Sequence, residues 1–404
     1  ENIAGCFVKD QLTVQFVLAS PDSLMPCKMS IPLLCSETLK GDSADKAPVG
    51  AGMYRFVSKA DGVITLERYG EYYNAERKPR IQTVKIREFE SEYKKYGSDF
   101  DFAIFYGSRH ASYIFDESTK VIDYTGKTYN YVVINCNATY TIEQKDERDN
   151  KTVIYTDIPN ALTNKNVRKA LNLMVDRTVL CNAAAAGSGI VSLLPAYNGT
   201  AYRSAVQDTY EYDIEAAYKL LTDEGYRRNE EDGYWYYYDG TALIIDAIVP
   251  ASSFELCTVM RNVKSAMEKL GITVELQELT DEDFAVKYQK KQYMIMPMQV
   301  ELGSWIDLEK IFETGGELNC SFYSNASVDS YFKQIKSLGA SDVIAAGYGE
   351  IEKILLDENP IIGLYINNDS IVVRDSVKGI ARGTVYAWNP LANFYKWGIT
   401  EENT

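Results

Sequence analysis

The hydrophobic period of this chain changes once along its length, and that change limits what it can fold into. Residues 46–140 are strand-rich. Segments 53–57, 63–69 and 83–89 are enriched in β-branched and aromatic residues, with turn signals at Asp61-Gly62 and Lys78-Pro79. Segments 100–106 and 129–135 (YNYVVIN) read as further strands. The second is almost continuously apolar, as befits a strand buried on both faces. Beyond residue 152 helices alternate with strands. Val167, Ala170, Leu171 and Met174 make one apolar helical face. Ile214, Ala217, Tyr218 and Leu221 make another, with Asp213 placed to cap it and Gly225 to stop it. A longer helix runs from Leu256 to Leu270 and ends at Gly271, before a strand at 272–276. Thr280, Ser327 and Ser341 are set to cap three more, and Asn359-Pro360 ends the last. Strands follow at 361–367 and 370–374, and 293–300 (YMIMPMQV) reads as a buried one. This order implies an α/β chain, a β-rich block followed by an α/β block with mainly parallel or mixed sheets. At about 150 residues per domain, 404 residues make two to three domains.

Two segments break the pattern. Residues 12–18 (LTVQFVL) alternate like a strand already inside a sheet, with nothing like a first element before them. The chain opens without a methionine or a basic, apolar leader, so a removed signal peptide is one expectation. Residues 141–152 (TIEQKDERDNKT) are the most polar stretch and read as an exposed loop.

Composition removes several functions. The net charge is −15, and such a surface repels phosphate backbones, so no nucleic-acid partner is expected. No apolar run reaches the roughly 20 residues of a membrane span. The single histidine, His110, would have to serve any Ser-His-Asp or Cys-His catalysis, and it reads as a loop residue. A multi-histidine metal site is impossible. No catalytic residue, metal or cofactor is therefore expected. The seven cysteines form no CxxC pair and read as small buried hydrophobes. Thirty-one tyrosines are the outlier, and their flat face and polar tip suit clefts and interfaces.

Gly50-Ala51-Gly52 lacks a third glycine and a following helix, so it is no phosphate cradle. Gly187-Ser188-Gly189 reads as a helix stop. Asp232-Gly233 and Asp239-Gly240 bracket YWYYY as hairpin turns. Gly303-Ser304-Trp305-Ile306-Asp307 follows the strand at 293–300. An acid beside an aromatic at the carboxyl end of a buried strand is where α/β ligand sites gather. There Asp307 would offer a ligand ammonium a charge-assisted bond and Trp305 an aromatic face. The alternative is that Asp307 caps a helix over 308–312.

Four stretches also match one family together. Residues 48–74 (PVGAGMYRFVSKADGVITLERYGEYYN) resemble the "PVGTGPY.F…ITLERN..YW" signature of the family 5 extracellular solute-binding proteins. Residues 166–180 (NVRKALNLMVDRTVL) resemble that family's "VRQALNYAIDRE.L" helix. Leu193-Leu194-Pro195 resembles its "PLPP" turn, and residues 212–226 (YDIEAAYKLLTDEGY) resemble "YDPEKAKALLAEAGY". These proteins are the dipeptide- and oligopeptide-binding components of ABC importers.

The resemblance implies a two-lobed periplasmic-binding-protein type II (cluster C) fold, with mixed sheets and helices on both faces. It places 1–45 at the end of a small extra domain, 46–140 in a partial lobe I, 141–375 in lobe II, and 376–404 back in lobe I. Strands 129–135 and 361–367 become the crossings about which the lobes close. Residue 1 falls in the middle of the family pattern, which implies that the N-terminal part of lobe I is missing. The implied function is capture of a peptide in the inter-lobe cleft and delivery to ABC permease subunits at the membrane. The expected protein is a monomer, not an enzyme, and extracellular, as a cell-surface lipoprotein or free in a periplasm. An oligosaccharide or a metal chelate is the alternative cargo. The family's "W..DY.DP"-like stretch carries the acid that holds a peptide's α-amino group. That role is transferred to Asp307, with Gly303, Ser304 and Trp305 beside it, although the spacing from Trp to Asp is shorter here.

Overall fold

A computed structural model describes residues 2–29, 48–88, 100–107, 113–145, 152–196, 204, 206, 212–303, 307–337, 339–381, 383, 385–386 and 389–400. Ser304, Trp305, His110 and Cys35 lie outside the described residues.

The chain begins with strands β1 (Ile3–Val8) and β2 (Val14–Leu18), paired antiparallel as a two-stranded sheet. The segment expected as a strand inside a sheet is the second arm of this hairpin, and β1 precedes it. Val14 is 53% exposed and Leu12 97%. Alternation reports a pleated backbone; it does not report how many strands share it. A short helix, α1 (Met25–Lys28), follows, with Pro26 in the first turn where its missing N–H costs nothing. Strands β3 (Tyr54–Ala60), β4 (Val63–Arg68) and β5 (Thr83–Ile86) form an antiparallel sheet, turned at Asp61-Gly62, both with positive φ. Then come β6 (Phe102–Phe105) and the sixteen-residue β7 (Thr119–Ile134).

Strands β8 (Thr139–Lys145) and β9 (Thr152–Pro159) pair antiparallel where an exposed loop was expected. A ribbon held by backbone bonds needs no apolar alternation, so its polar sequence concealed it. Helices α2 (Lys165–Leu173) and α3 (Arg177–Ala184) lead through Ala186 and Gly187, both at positive φ, to β10 (Gly189–Val191). Helix α4 (Ile214–Asp223) starts where Asp213 accepts the Ala216 N–H at 2.9 Å and ends before Gly225 at φ +93°. Short strands β11 (Arg227–Arg228) and β12 (Trp235–Tyr236) pair, and Gly233 and Gly240 take positive φ at the two expected turns.

The remaining elements are β13 (Ile244–Pro250), α5 (Phe254–Lys269), β14 (Thr273–Leu279), α6 (Asp281–Gln289), β15 (Ile295–Glu301), α7 (Glu309–Phe312), α8 (Ala326–Ser337), α9 (Ser341–Glu358), β16 (Ile361–Arg374), β17 (Val377–Lys378) and β18 (Gly398–Ile399). Thr280 caps α6 by accepting the Asp283 N–H. Two expected caps are displaced. Asn325, not Ser327, accepts the first N–H groups of α8, and Ser341 is the first helical residue of α9 rather than its cap. Asparagine and serine cap about equally well, so neighbouring candidates are hard to rank.

The described residues cluster as two units. The first holds 1–29, 128–187 and 191–366; the second holds 30–127, 188–190 and 367–404. Strands β7 and β16 are hydrogen-bonded neighbours and each contributes residues to both units.

In the first unit the sheet order is β16-β7-β15-β13-β14. Strands β13, β14 and β15 are parallel and β15 is antiparallel to β7, so the sheet is mixed. Residues 129–134 of β7 are all buried. The α5 face of Val259, Met260, Val263 and Met267 is buried too, each side chain adding about 1.5–3 kcal/mol. Two buried arginines brace the α2–α3 turn. Arg168 donates to the Leu162, Thr163 and Glu358 carbonyls, and Arg177 to those of Asn172, Val175 and Gly363. In the second unit β6 pairs antiparallel with residues 370–373 of β16. Its core gathers Tyr124, Ile371, Val373, Phe394 and Trp397. Trp397 packs edge-on to Phe102 and Phe394 at 5.2 and 5.0 Å between ring centroids.

Six described cysteines are free. Cys181, Cys257 and Cys320 are buried as expected, whereas Cys6 on the β1–β2 hairpin is exposed. All but one of the β1 residues are exposed, so an interior-type residue there meets water.

Candidate functional site

Asp307 stands two residues before α7, in a cavity of about 750 Å³ within the first unit. Gly303, half-buried, follows the end of β15 and lies outside its lining. The expected neighbours Ser304 and Trp305 lie outside the described residues.

The cavity walls come from distant parts of the chain. Asn2 and Ser20 close the open end of the β1–β2 hairpin, the Ser20 N–H donating to Asn2 Oδ1 at 3.0 Å. Asp22 accepts the Leu24 N–H at 3.0 Å and pairs with Lys28 at 2.9 Å. The Ser23 N–H donates to the Lys336 carbonyl at 2.9 Å, pinning this turn to the end of α8. From α7 come Glu309, which pairs with Lys336, and Lys310, which lies 3.8 Å from Glu317. Glu313 and Gly315-Gly316 complete the rim. Gly315 has φ +76°, and a Cβ on Gly316 would strike the Lys310 and Glu309 carbonyls. This glycine pair lets the chain fold back against α7.

Five carboxylates and three lysines line the cavity. Each lysine is matched to Asp22, Glu309 or Glu317, which leaves the lining net negative through Asp307 and Glu313. Burial raises the Asp307 carboxyl above the usual aspartate range, against the pull of Lys310 and Lys28. Leu308, not Asp307, stands at the N-cap of α7, and no side-chain capping bond is made there. Burial, then the charge of Glu309, raises Glu313. Burial, then Asp307, pushes up the Tyr348 phenol, which arrives from α9. Such a site favours a cation that can neutralise a carboxylate held partly out of water.

Sequence reasoning singled out Asp307 but not Asp22, Lys28 and Glu313, which share its cavity. The first two lie 285 and 279 residues away in the chain and carried no local signal. The Glu313-Thr314-Gly315-Gly316 run was readable as a tight turn behind an acid. A larger cavity of about 1120 Å³ lies in the second unit, walled chiefly by apolar side chains such as Tyr54, Leu66, Val84, Phe102 and Phe394. Its lining also includes Lys85, Arg87, Glu88 and Asp101.

Comparison with known proteins follows the same lines. Residues 1–313 match the model of the bacterial extracellular solute-binding proteins, family 5 Middle. The oligopeptide-binding protein AppA of Bacillus subtilis (strain 168) is 24% identical over 260 residues, which are 59% of this chain and 44% of AppA. The chain therefore aligns with less than half of that relative's length. The solved AppA structure, in complex with a nonapeptide, superposes with a TM-score of 0.65 at 20% identity, covering 99% of this chain and 79% of that one. The periplasmic murein tripeptide binding protein MppA, in its unliganded open form, gives 0.76 at 16% identity, covering 98% and 73%. NikA from Brucella suis, in complex with Fe(III)-EDTA, gives 0.75 at 15% identity, covering 99% and 79%. The fold is that of these type II periplasmic binding proteins, a mixed α/β architecture.

Proposed function

The chain belongs to family 5 of the bacterial extracellular solute-binding proteins, and on that premise we propose that it captures peptides and passes them to the membrane subunits of an ABC importer. The relationship to an oligopeptide-binding protein supports a peptide cargo. The net-negative cavity around Asp307 is the observation that carries the reading further, because a free peptide always brings one ammonium group. Asp307 receives that ammonium, and Gly303, Ser304 and Trp305, which precede it in the chain, are proposed as further ligand contacts. Closure of two lobes about β7 and β16 encloses the ligand, and the protein works outside the cytoplasm as a monomer. A metal chelate has only a likeness of fold behind it. No group of three or more His, Cys, Asp and Glu residues among the described residues is placed to hold a metal ion.

Calorimetry with a set of free and N-acetylated peptides tests this reading. Free peptides bind, and N-acetylation weakens binding at least about tenfold, the loss of one charge-assisted bond of roughly 1.5–3 kcal/mol. In Asp307→Asn the free peptide falls to the acetylated level and acetylation stops mattering. Equal binding of both peptide forms by the parent would remove Asp307 from the site. No binding of any peptide would remove the peptide reading itself.

The pH dependence has a defined sign. The ammonium needs Asp307 ionised, and burial places its pKa above the ordinary value of 3.8. Affinity therefore falls as pH drops through that raised pKa, earlier than an ordinary aspartate would allow. Asp307→Asn flattens this part of the profile.

A further inference from the structure

Residues 54–87 hold eight Lys and Arg against four Asp and Glu, in a chain whose total charge is −15. All eight basic side chains are exposed. The strand register sorts them. Arg55, Glu67 and Thr83 share one face of the β3–β5 sheet, and Lys85 stands beside Thr65 on that same face. Tyr54, Leu66 and Val84 take the opposite face and line the apolar cavity, which Thr83 and Lys85 also border. Arg55 is neutralised by Glu67 at 2.5 Å.

The loop between β4 and β5 adds aromatic rings to this charge. Tyr73 is 80% exposed and Tyr69 41%, and Tyr72 packs on Tyr73 at 4.7 Å between centroids. Arg77, Lys78 and Arg80 follow within seven residues of Tyr73. The loop is braced. The Tyr69 N–H donates to the Met53 carbonyl at 3.0 Å, Lys78 Nζ to the Gly70 carbonyl at 3.0 Å, and the Glu76 N–H to Asn74 Oδ1 at 3.1 Å. Arg77 and Lys396 both approach the Tyr395 ring, at 5.9 and 5.4 Å, so the same chemistry continues onto the C-terminal segment.

Exposed tyrosines held among lysines and arginines match the headgroup layer of a bilayer. The phosphates there meet the cations, and the rings sit at the boundary with the acyl chains. A soluble polyanion would satisfy the charge and leave the rings in water. We propose that this face of the second unit docks on an anionic bilayer surface. The negative charge of the remaining chain opposes approach by other faces and so orients the protein. The proposal concerns where the protein rests and is independent of what it captures.

Flotation of the full chain with vesicles tests it. Partition into phosphatidylglycerol vesicles exceeds that into phosphatidylcholine at least about tenfold, since each basic residue at the surface contributes about fivefold. High salt abolishes most of the difference. The triple variant Arg77→Glu, Lys78→Glu, Arg80→Glu loses at least about tenfold by the same rule. Tyr73→Ser loses a smaller factor and keeps the salt dependence. If the triple variant melts below the parent, Lys85→Gln with Arg87→Gln on the sheet carries the charge test instead. Equal partition into both vesicle types, or charge variants that float like the parent, would overturn the proposal. So would full competition by soluble polyphosphate combined with no effect of Tyr73→Ser, which would mark a polyanion site.

Discussion

An Arg177→Met variant should lose about 3–5 kcal/mol of stability, the largest effect we expect from a single side chain outside any ligand site. Arg177 is 5% exposed. Its Nε donates to the Gly363 carbonyl at 2.6 Å and Nη2 to Asn172 Oδ1 at 2.7 Å. Its Nη1 donates to the Asn172 and Val175 carbonyls at 3.1 and 3.3 Å. The guanidinium thus joins the end of α2 and the start of α3 to the start of β16. Methionine fills much of the same volume without a donor, so the cost is that of leaving buried acceptors unmet rather than of opening a cavity. Urea unfolding should show a lower midpoint with an unchanged slope. Arg177→Lys should recover only part of the loss, because an ammonium cannot reproduce the planar fork. A Met variant within about 1 kcal/mol of the parent would refute this account of the bonds.

Gly363→Ala should cost about 3 kcal/mol or more, or leave the protein insoluble. A Cβ at this position of β16 would be driven into the Leu193 carbonyl and the Tyr129 hydroxyl. The backbone cannot swing aside as a long side chain can. The strand must move, and the bond from Tyr129 Oη to the Leu193 carbonyl, 2.9 Å, must stretch or break. Thermal melting measures the loss. Adding Tyr129→Phe to Gly363→Ala should make the double variant less unstable than the two single costs predict, since the second change removes one of the colliding atoms. Strict additivity would count against this geometry. Because Arg177 holds the Gly363 carbonyl, these two predictions are themselves coupled.

The glycine that matters here was invisible in the sequence, and the reason is physical. Gly363 lies in an unbroken apolar strand, and the need for a bare Cα arises only when residue 193 is brought against it. Local rules were readable wherever their partners were local. Asp213, Thr280, Gly225 and Gly271 act on groups a few residues away, and each does what its position implied. The strand in 12–18 was legible but its place in a two-stranded ribbon was not, and residues 141–145 and 152, read as loop, are strand in a second ribbon, where pattern and burial part company. The family motif around Arg168 and Arg177 was legible as a motif. Its physical content, arginines bonded to buried carbonyls, was not. Around Asp307 the sequence offered one acid; the segment after β2 that brings Asp22 and Lys28 is far away in the chain.

The pairing of β7 with β16 has a consequence for how the polypeptide is made. Residues 128–134 leave the ribosome more than two hundred residues before their neighbours at 361–366. Until then an apolar strand edge stands open in a nascent chain, the condition under which intermolecular pairing and capture by chaperones compete with folding. Slow, late closure of this kind is the expected signature of a high contact order. A translation product halted before residue 360 should therefore remain protease-sensitive through the first unit, however long it is given to mature.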